Sequence, residues 1–237
     1  MSWYVYGVTR PLAEGAPPLE TGPGVLDAPV TRLGTASVVA IVSPVGPEVA
    51  DLEHAASSVV LDAVQRHDDV LVALAEDRDV LPVRFGTVLP DEDAVSTWLA
   101  DPSGRLGAAL DAVAGAEEWV VTVAPDPGAE APEPEVSAAS PGHAFFARRR
   151  AVADRRTETR RRAVAAAEAL DHDLRALARA STPMGLKDPA AIARGAYLVP
   201  RDRRERLLAR VATVPDAAVE VVGPLPAYRF ASVDEHP

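Results

Sequence analysis

Residues 124–143 read Ala-Pro-Asp-Pro-Gly-Ala-Glu-Ala-Pro-Glu-Pro-Glu-Val-Ser-Ala-Ala-Ser-Pro-Gly-His, and nothing in them can be packed into a core. Five prolines remove backbone donors and fix φ, and four acids repel one another with almost nothing apolar to bury. The stretch reads as an extended linker that cuts the chain into two parts, each long enough to fold. The boundaries expected are an N-terminal domain over 1–124, an acidic Pro-rich linker over 125–143 and a C-terminal domain over 144–237. Charge divides the same way. Residues 1–124 carry 19 acidic and 6 basic side chains, and residues 144–237 carry 12 and 18, within a chain of net charge −11. Such a split either draws the halves together or offers each end to a different partner.

In the first part, Trp3-Tyr4-Val5-Tyr6-Gly7-Val8 has no polar alternation, so it predicts a strand buried on both faces. A Pro- and Gly-punctuated loop over 11–29 leads to a second buried strand, Ala36–Val42. From Pro47 the period changes to 3.6: Ala56, Val59, Val60, Ala63, Val64, His67, Val70, Leu71 and Leu74 form the stripe of a helix lying on the sheet. His67 falls on that stripe without a second ligand at helical spacing, so it reads as a core-edge histidine. Asp91 is a natural N-cap for a helix with Val95, Trp98 and Leu99 inward. Asp101-Pro102 starts another, with Leu106, Leu110 and Val113. Glu118–Val123 is the last strand of the set. The order predicts an α+β domain, ferredoxin-like in plan, with its helices on one face of the sheet.

The second part opens with Ala144–Ala180, free of Gly and Pro, which predicts one long helix or two abutting ones. Its middle holds Arg148, Arg149, Arg150, Arg155, Arg156, Arg160, Arg161 and Arg162 around Val152 and alanines. Such a segment must stay solvated or meet something acidic. Strands at 192–199 and 218–222 flank a charged helix at 201–211, giving a smaller α+β domain, and Gly223–Phe230 ends the ordered chain.

Between the two helical patterns of the first part lies Val80–Asp91, an extended run started by Leu81-Pro82. Pro82 confines it to an edge or a strand start, and Gly86 marks a bulge or a close backbone approach. Alternation puts Leu81, Val83 and Phe85 on the core face, with Pro82, Arg84 and Gly86 opposite. Leu81-Pro82-Val83-Arg84-Phe85-Gly86-Thr87 resembles the most characteristic segment of the gas vesicle protein F/L family (GvpF/GvpL). Ala196-Tyr197-Leu198-Val199-Pro200-Arg201-Asp202 resembles the family's second signature. Gly223–Phe230 resembles its terminal Gly-Pro-Trp-Pro-Pro-Tyr-Ser-Phe segment. In that segment Leu225 stands for the usual tryptophan, Ala227 for a proline and Arg229 for a serine, while Tyr228 and Phe230 are kept.

What the resemblance implies is an accessory or minor structural protein of gas vesicle assembly. It would bind the small hydrophobic shell protein or other accessory proteins during nucleation and growth, in the cytoplasm and at the gas vesicle. Residue chemistry alone points away from an enzyme. There is no cysteine, the five histidines are scattered, and no phosphate-cradling or nucleophile-elbow motif is present, so no metal or cofactor is expected. Asp171-His172-Asp173 invites a general-base reading, but consecutive helical side chains point apart. No apolar run approaches the ~20 residues a bilayer demands, so no membrane partner is expected. The Arg148–Arg162 helix leaves a competing role in nucleic-acid binding, against which stand the acidic pI of 4.9 and the lack of interleaved aromatics. The residues expected to meet a protein partner are Pro82, Arg84, Phe85 and Gly86 on the edge run, Arg148, Arg149, Arg155, Arg156 and Arg160 on the helix, and Tyr228 and Phe230 in the tail. For the edge run two readings stand: it pairs with a partner's strand, or the chain's own tail covers it.

Overall fold

The computed structural model describes residues 1–11, 21–49, 56–101, 104–126 and 141–231. The chain forms two compact units, one of Met1–Glu118 with the segment from Pro224 onward, the other of Trp119–Gly223. The linker expected over 125–143 lies outside the described residues between 127 and 140, and Pro141 already begins a helix.

The first unit is built on an antiparallel sheet of β1 (Ser2–Thr9), β2 (Thr31–Gly34), β3 (Val39–Val45) and β4 (Val80–Pro82), in the order β2-β3-β1-β4. The two-residue β5 (Val88–Leu89) also pairs with β1. Residues 4–9 of β1 are buried without a break, so both faces of the strand must be covered, as its unalternating sequence demands. On one face lies α1 (Ser57–Asp77), packing Ala63, Val70, Leu71 and Leu74 against Tyr4, Tyr6 and Ile41. On the other lie α2 (Glu92–Ala100) and α3 (Arg105–Val113), packing Val95, Leu99, Leu106 and Leu110 against Val5, Val8, Ala40 and Val42.

The α+β class agrees with the sequence, but the helices divide between the two faces instead of sharing one. A sheet with apolar side chains on both sides leaves no other solution. Asp91 caps α2 by accepting from the Ala94 N–H at 2.8 Å. Asp101 accepts from the Leu106 N–H at 2.7 Å, so it serves α3 although that helix begins at Arg105.

The second unit runs β6 (Ala116–Pro125), α4 (Pro141–Leu177), β7 (Ala180–Pro183), β8 (Ala193–Pro200), α5 (Arg204–Ala212) and β9 (Ala217–Leu225). Its sheet order, β7-β8-β6-β9, and its β-α-β-β-α-β sequence are the ferredoxin-like plan. The first unit repeats that strand order, and among its described residues a short 3-10 turn, Val25–Asp27, lies between β1 and β2. The strand expected to close the first sheet, 118–123, is a central strand of the second. Trp119–Val121 are buried one after another, which suits a strand flanked on both sides, and strand pattern carries no information about which sheet receives it. On one face Trp119, Val121 and Val123 meet Ala167, Leu170, Leu174 and Leu177 of α4, and Leu207 of α5.

Candidate functional site

The run at 80–89 is held from inside by a polar clamp. Tyr4 on β1 and His67 on α1 are both buried, and the Tyr4 hydroxyl lies 3.0 Å from His67 Nδ1. The Gly86 N–H donates to that same hydroxyl at 3.1 Å. With the Gly86 N–H on that oxygen, a neutral ring protonated on Nε2 can accept the hydroxyl proton at Nδ1 and still hydrogen-bond the Val83 backbone. Burial drives the His67 pKa from 6.5 down to about 4, against the smaller opposing effects of Asp68 and Val83. Burial likewise pushes the Tyr4 and Tyr6 hydroxyls up. Phe85 completes the cluster, edge-on to Tyr4 at 6.3 Å and to His67 at 5.7 Å between ring centres.

Alternation therefore fails at the turn. Leu81 and Val83 pack with the α2–α3 face as expected, but Phe85 packs on the α1 face. The cause is a tight turn in which the Thr87 N–H and hydroxyl both donate to the Arg84 carbonyl. Gly86 takes φ +87° there, with no atom within 4 Å of where a Cβ would sit. It is needed for its backbone conformation rather than for a close approach. On either side the Val83 N–H donates to the Tyr6 carbonyl and the Val5 N–H to the Thr87 carbonyl, so the turn interrupts one edge pairing with β1. Pro82 is buried opposite Gly7, while Arg84 is exposed.

The terminal segment meets this edge. Gly115 donates to Asp79 at 2.9 Å, which brings the start of β6 beside the start of β4. Glu118, fully buried, then accepts the Arg229 N–H at 2.9 Å and pairs with the Arg229 guanidinium. One residue earlier, Tyr228 donates to Asp68 of α1 at 2.8 Å, and burial, with Asp68 adding to it, raises its pKa. Tyr228 packs on the α1 face and Ala231 on the opposite one, so the tail crosses the sheet's edge between them. Phe230 is half-buried in the same turn. The structure thus brings Phe85, Gly86 and Tyr228 together around Tyr4, His67 and Asp68, while Pro82 pairs with Gly7 on β1.

The arginines of α4 stand elsewhere. Among the described side chains of this helix the first fully buried one is Ala163, and Ala167, Leu170, Leu174 and Leu177 follow at helical spacing. Arg148, Arg149, Arg156 and Arg160 are exposed and Arg155 is half-buried. Phe145 and Phe146 are exposed as well, edge-to-face at 5.6 Å, with the Arg149 guanidinium 5.9 Å from the Phe145 ring centre. Farther along, Glu158 gathers Arg161 and Arg162 at 2.8–2.9 Å, and those bonds hold its pKa at about 2.

The Asp171-His172-Asp173 triplet is split by the helix. Asp171 accepts from Tyr197 at 2.7 Å and pairs with Arg175, Asp173 pairs with Arg210 at 2.6 Å, and His172 is exposed. Among the described residues no three His, Cys, Asp or Glu side chains gather as metal ligands.

Two features of the second unit were not singled out from the sequence. A cleft of about 410 Å3 lies between α4 and the sheet, lined by Val121, Val123, Ala167, Leu170, Ile192 and Tyr197 among others. β9 is the sheet's outer strand, nine residues long, with Val222 46% exposed. The largely apolar spelling of 217–222, interrupted only by Glu220, was the available signal for an edge able to accept a partner.

Residues 2–232 match the family described as gas vesicle synthesis protein GvpL/GvpF. Gas vesicle protein L of Streptomyces sp. (strain CB03234) is 32% identical, over 98% of this chain and 93% of that one. Gas vesicle protein F of the same strain is 29% identical, over 97% and 99%. The crystal structure of GvpF from Anabaena sp. PCC7120 shares the fold at a TM-score of 0.70 and 19% identity, covering 100% of this chain and 98% of that one. GvpF from Microcystis aeruginosa does so at 0.68 and 17%, covering 98% and 99%. Two antiparallel sheets, a long helix and a near full-length match lead to one conclusion: the chain belongs to the GvpL/GvpF family of gas vesicle synthesis proteins.

Proposed function

We propose that this protein is an accessory component of gas vesicle assembly that holds the hydrophobic shell protein, or another accessory protein, while vesicles nucleate and grow. The observation that carries the reading is β9, a largely apolar outer strand of nine residues that meets no further strand on one side among the described residues. Backbone groups along such an edge can pair with an incoming strand, and alternate side chains then select it. A strand-rich, aggregation-prone subunit is the partner such an edge protects. The run at 80–89 is less suited to that task, because the tail crosses its edge and its turn is spent on the Tyr4–His67 clamp.

Proline placed singly at Glu220 and at Val221 tests the reading. Neighbouring strand residues point their N–H groups to opposite sides, so one substitution removes an outward donor and the other breaks the pairing with β6. The variant that melts as wild type is the outward one. It is expected to lose co-purification with the shell protein. Undiminished capture by that variant would refute docking at β9.

A further inference from the structure

Two helices of this chain carry exposed stripes that complement each other. On the outer side of α1, Leu61, Asp62, Gln65, Asp69, Val72 and Glu76 follow one another at helical spacing. Leu61 is 68% and Val72 39% exposed. This stripe is acidic and apolar with no basic member, because Arg66 lies on its flank and pairs with Asp27 and Asp62. The first half of α4 offers the reverse. Phe145 and Phe146 are exposed beside Arg148, Arg149 and Arg150, and Arg160 continues the charge. Eight arginines there stand against Asp154 and Glu158 alone.

The dimensions match too. Leu61 to Glu76 and Phe145 to Arg160 are each fifteen residues apart, about 22 Å of helix. The α1 stripe carries Leu61 at its start and Val72 farther along, and the α4 segment carries Phe145 and Phe146 at its start with arginines fanned around the helix. The net charges of the two sides are opposite in sign, a pattern that specifies a partner as well as attracting one.

We propose that the partner of the α4 stripe is the α1 stripe of a second copy of this chain, so that copies associate head to tail. The contact is heterologous: each copy keeps one unused stripe of each kind, and addition continues beyond a dimer unless the rotation closes a ring. Phenylalanines and leucine supply burial at the contact, while the guanidinium–carboxylate pairs fix direction and forbid α1–α1 or α4–α4 pairing. This reaches beyond the capture of other vesicle proteins, and its test uses the purified chain alone, so either idea can fail without the other.

The experiment is sedimentation velocity of the full chain at low and high salt. It compares wild type with an α4 variant (Arg148→Glu, Arg149→Glu, Arg150→Glu) and an α1 variant (Asp62→Arg, Asp69→Arg, Glu76→Arg). All six positions are exposed, and melting curves check that both variants fold. Wild type should show species heavier than a dimer at low salt, with association weakened at least about tenfold when ionic strength rises to roughly 0.3 M.

Each variant alone should sediment as a monomer, because the α4 changes cancel the +6 of residues 148–162 and the α1 changes give that stripe the same sign as α4. Mixing the two should restore association as a dimer, since the unaltered α1 of the α4 variant meets the unaltered α4 of the α1 variant. A wild type that is monomeric at every salt concentration overturns the proposal, as does a mixture that stays monomeric. Loss of association in the α4 variant without loss in the α1 variant also overturns it. Binding of a mixed-sequence duplex that follows the α4 arginines and ignores α1, with no self-association, assigns the helix to nucleic acid instead.

Discussion

Acid should loosen the first unit through His67, and the size of the effect follows from its burial. The ring is 2% exposed, and its pKa falls from 6.5 to about 4 because burial disfavours the imidazolium. A histidine with a depressed folded-state pKa favours the native state while both states are neutral, above about pH 6.5. As pH falls, the unfolded chain takes up the proton first and stability is lost until pH reaches about 4, where the native ring also titrates. At 1.36 kcal/mol per unit, the loss attributable to this residue is about 2 kcal/mol by about pH 5 and about 3 kcal/mol by about pH 4.

Carboxylates titrate over the lower part of this range, so a difference measurement is required. Urea unfolding of wild type and His67→Gln, each at pH 7.5 and 5, isolates the contribution. The glutamine removes the titration while an amide can still meet the Tyr4 hydroxyl. Wild type should lose about 2 kcal/mol more than the variant over that interval. Equal losses would show that His67 is reachable by water and that the clamp on Gly86 is not sealed.

Other expectations follow from the same packing. Gly86→Ala meets no atom within 4 Å, so its cost is that of φ +87° alone, about 1–2 kcal/mol in urea unfolding. Leu174→Ala removes a fully buried side chain from the core of the second unit and should cost about 3 kcal/mol. Arg229→Ala leaves the buried Glu118 carboxylate with the Arg229 backbone N–H but without that guanidinium. The arginine is 37% exposed, so about 2 kcal/mol is expected, short of what a fully buried pair would lose. Arg229→Lys should recover part of it in the same assay.

Much of the fold was legible because it rests on local pattern. The unalternating run at Trp3–Val8 announces a strand covered on both sides, the stripe from Ala63 to Leu74 announces α1, and Asp91 marks the start of α2. What could not be read is long-range. Residues 118–123 spell a buried strand equally well for either sheet, and only the tertiary pairing with β8 and β9 decides. Phe85 crosses to the opposite face because Gly86 takes a left-handed conformation in a tight turn, which overrides the two-residue period. His67 was legible as a core residue. Its union with Tyr4 was not, since 63 residues separate them and no local signal links a tyrosine on a strand to a histidine on a helix.

The candidate surfaces divide along the same line. The arginines of α4 were visible in the sequence because charge needs no tertiary context, and the helix leaves most of them exposed. Pro82, Phe85 and Tyr228 were singled out by motif, and the structure gives each an internal partner. Arg229 stands where the resembling segment has serine, and the buried Glu118 that receives it lies 111 residues away.

The claim on which the account depends is that β9 receives a strand of a vesicle protein, and a photo-crosslinking side chain at Val222 tests it most directly. Val222 is exposed on that strand, so the probe should not disturb the core. Irradiation of cells assembling vesicles should yield an adduct with the shell protein or another vesicle protein. The same probe at Leu186, exposed beside the cleft, should yield little by comparison. No vesicle-protein adduct at Val222 during active assembly, or equal adducts from both positions, would contradict the account.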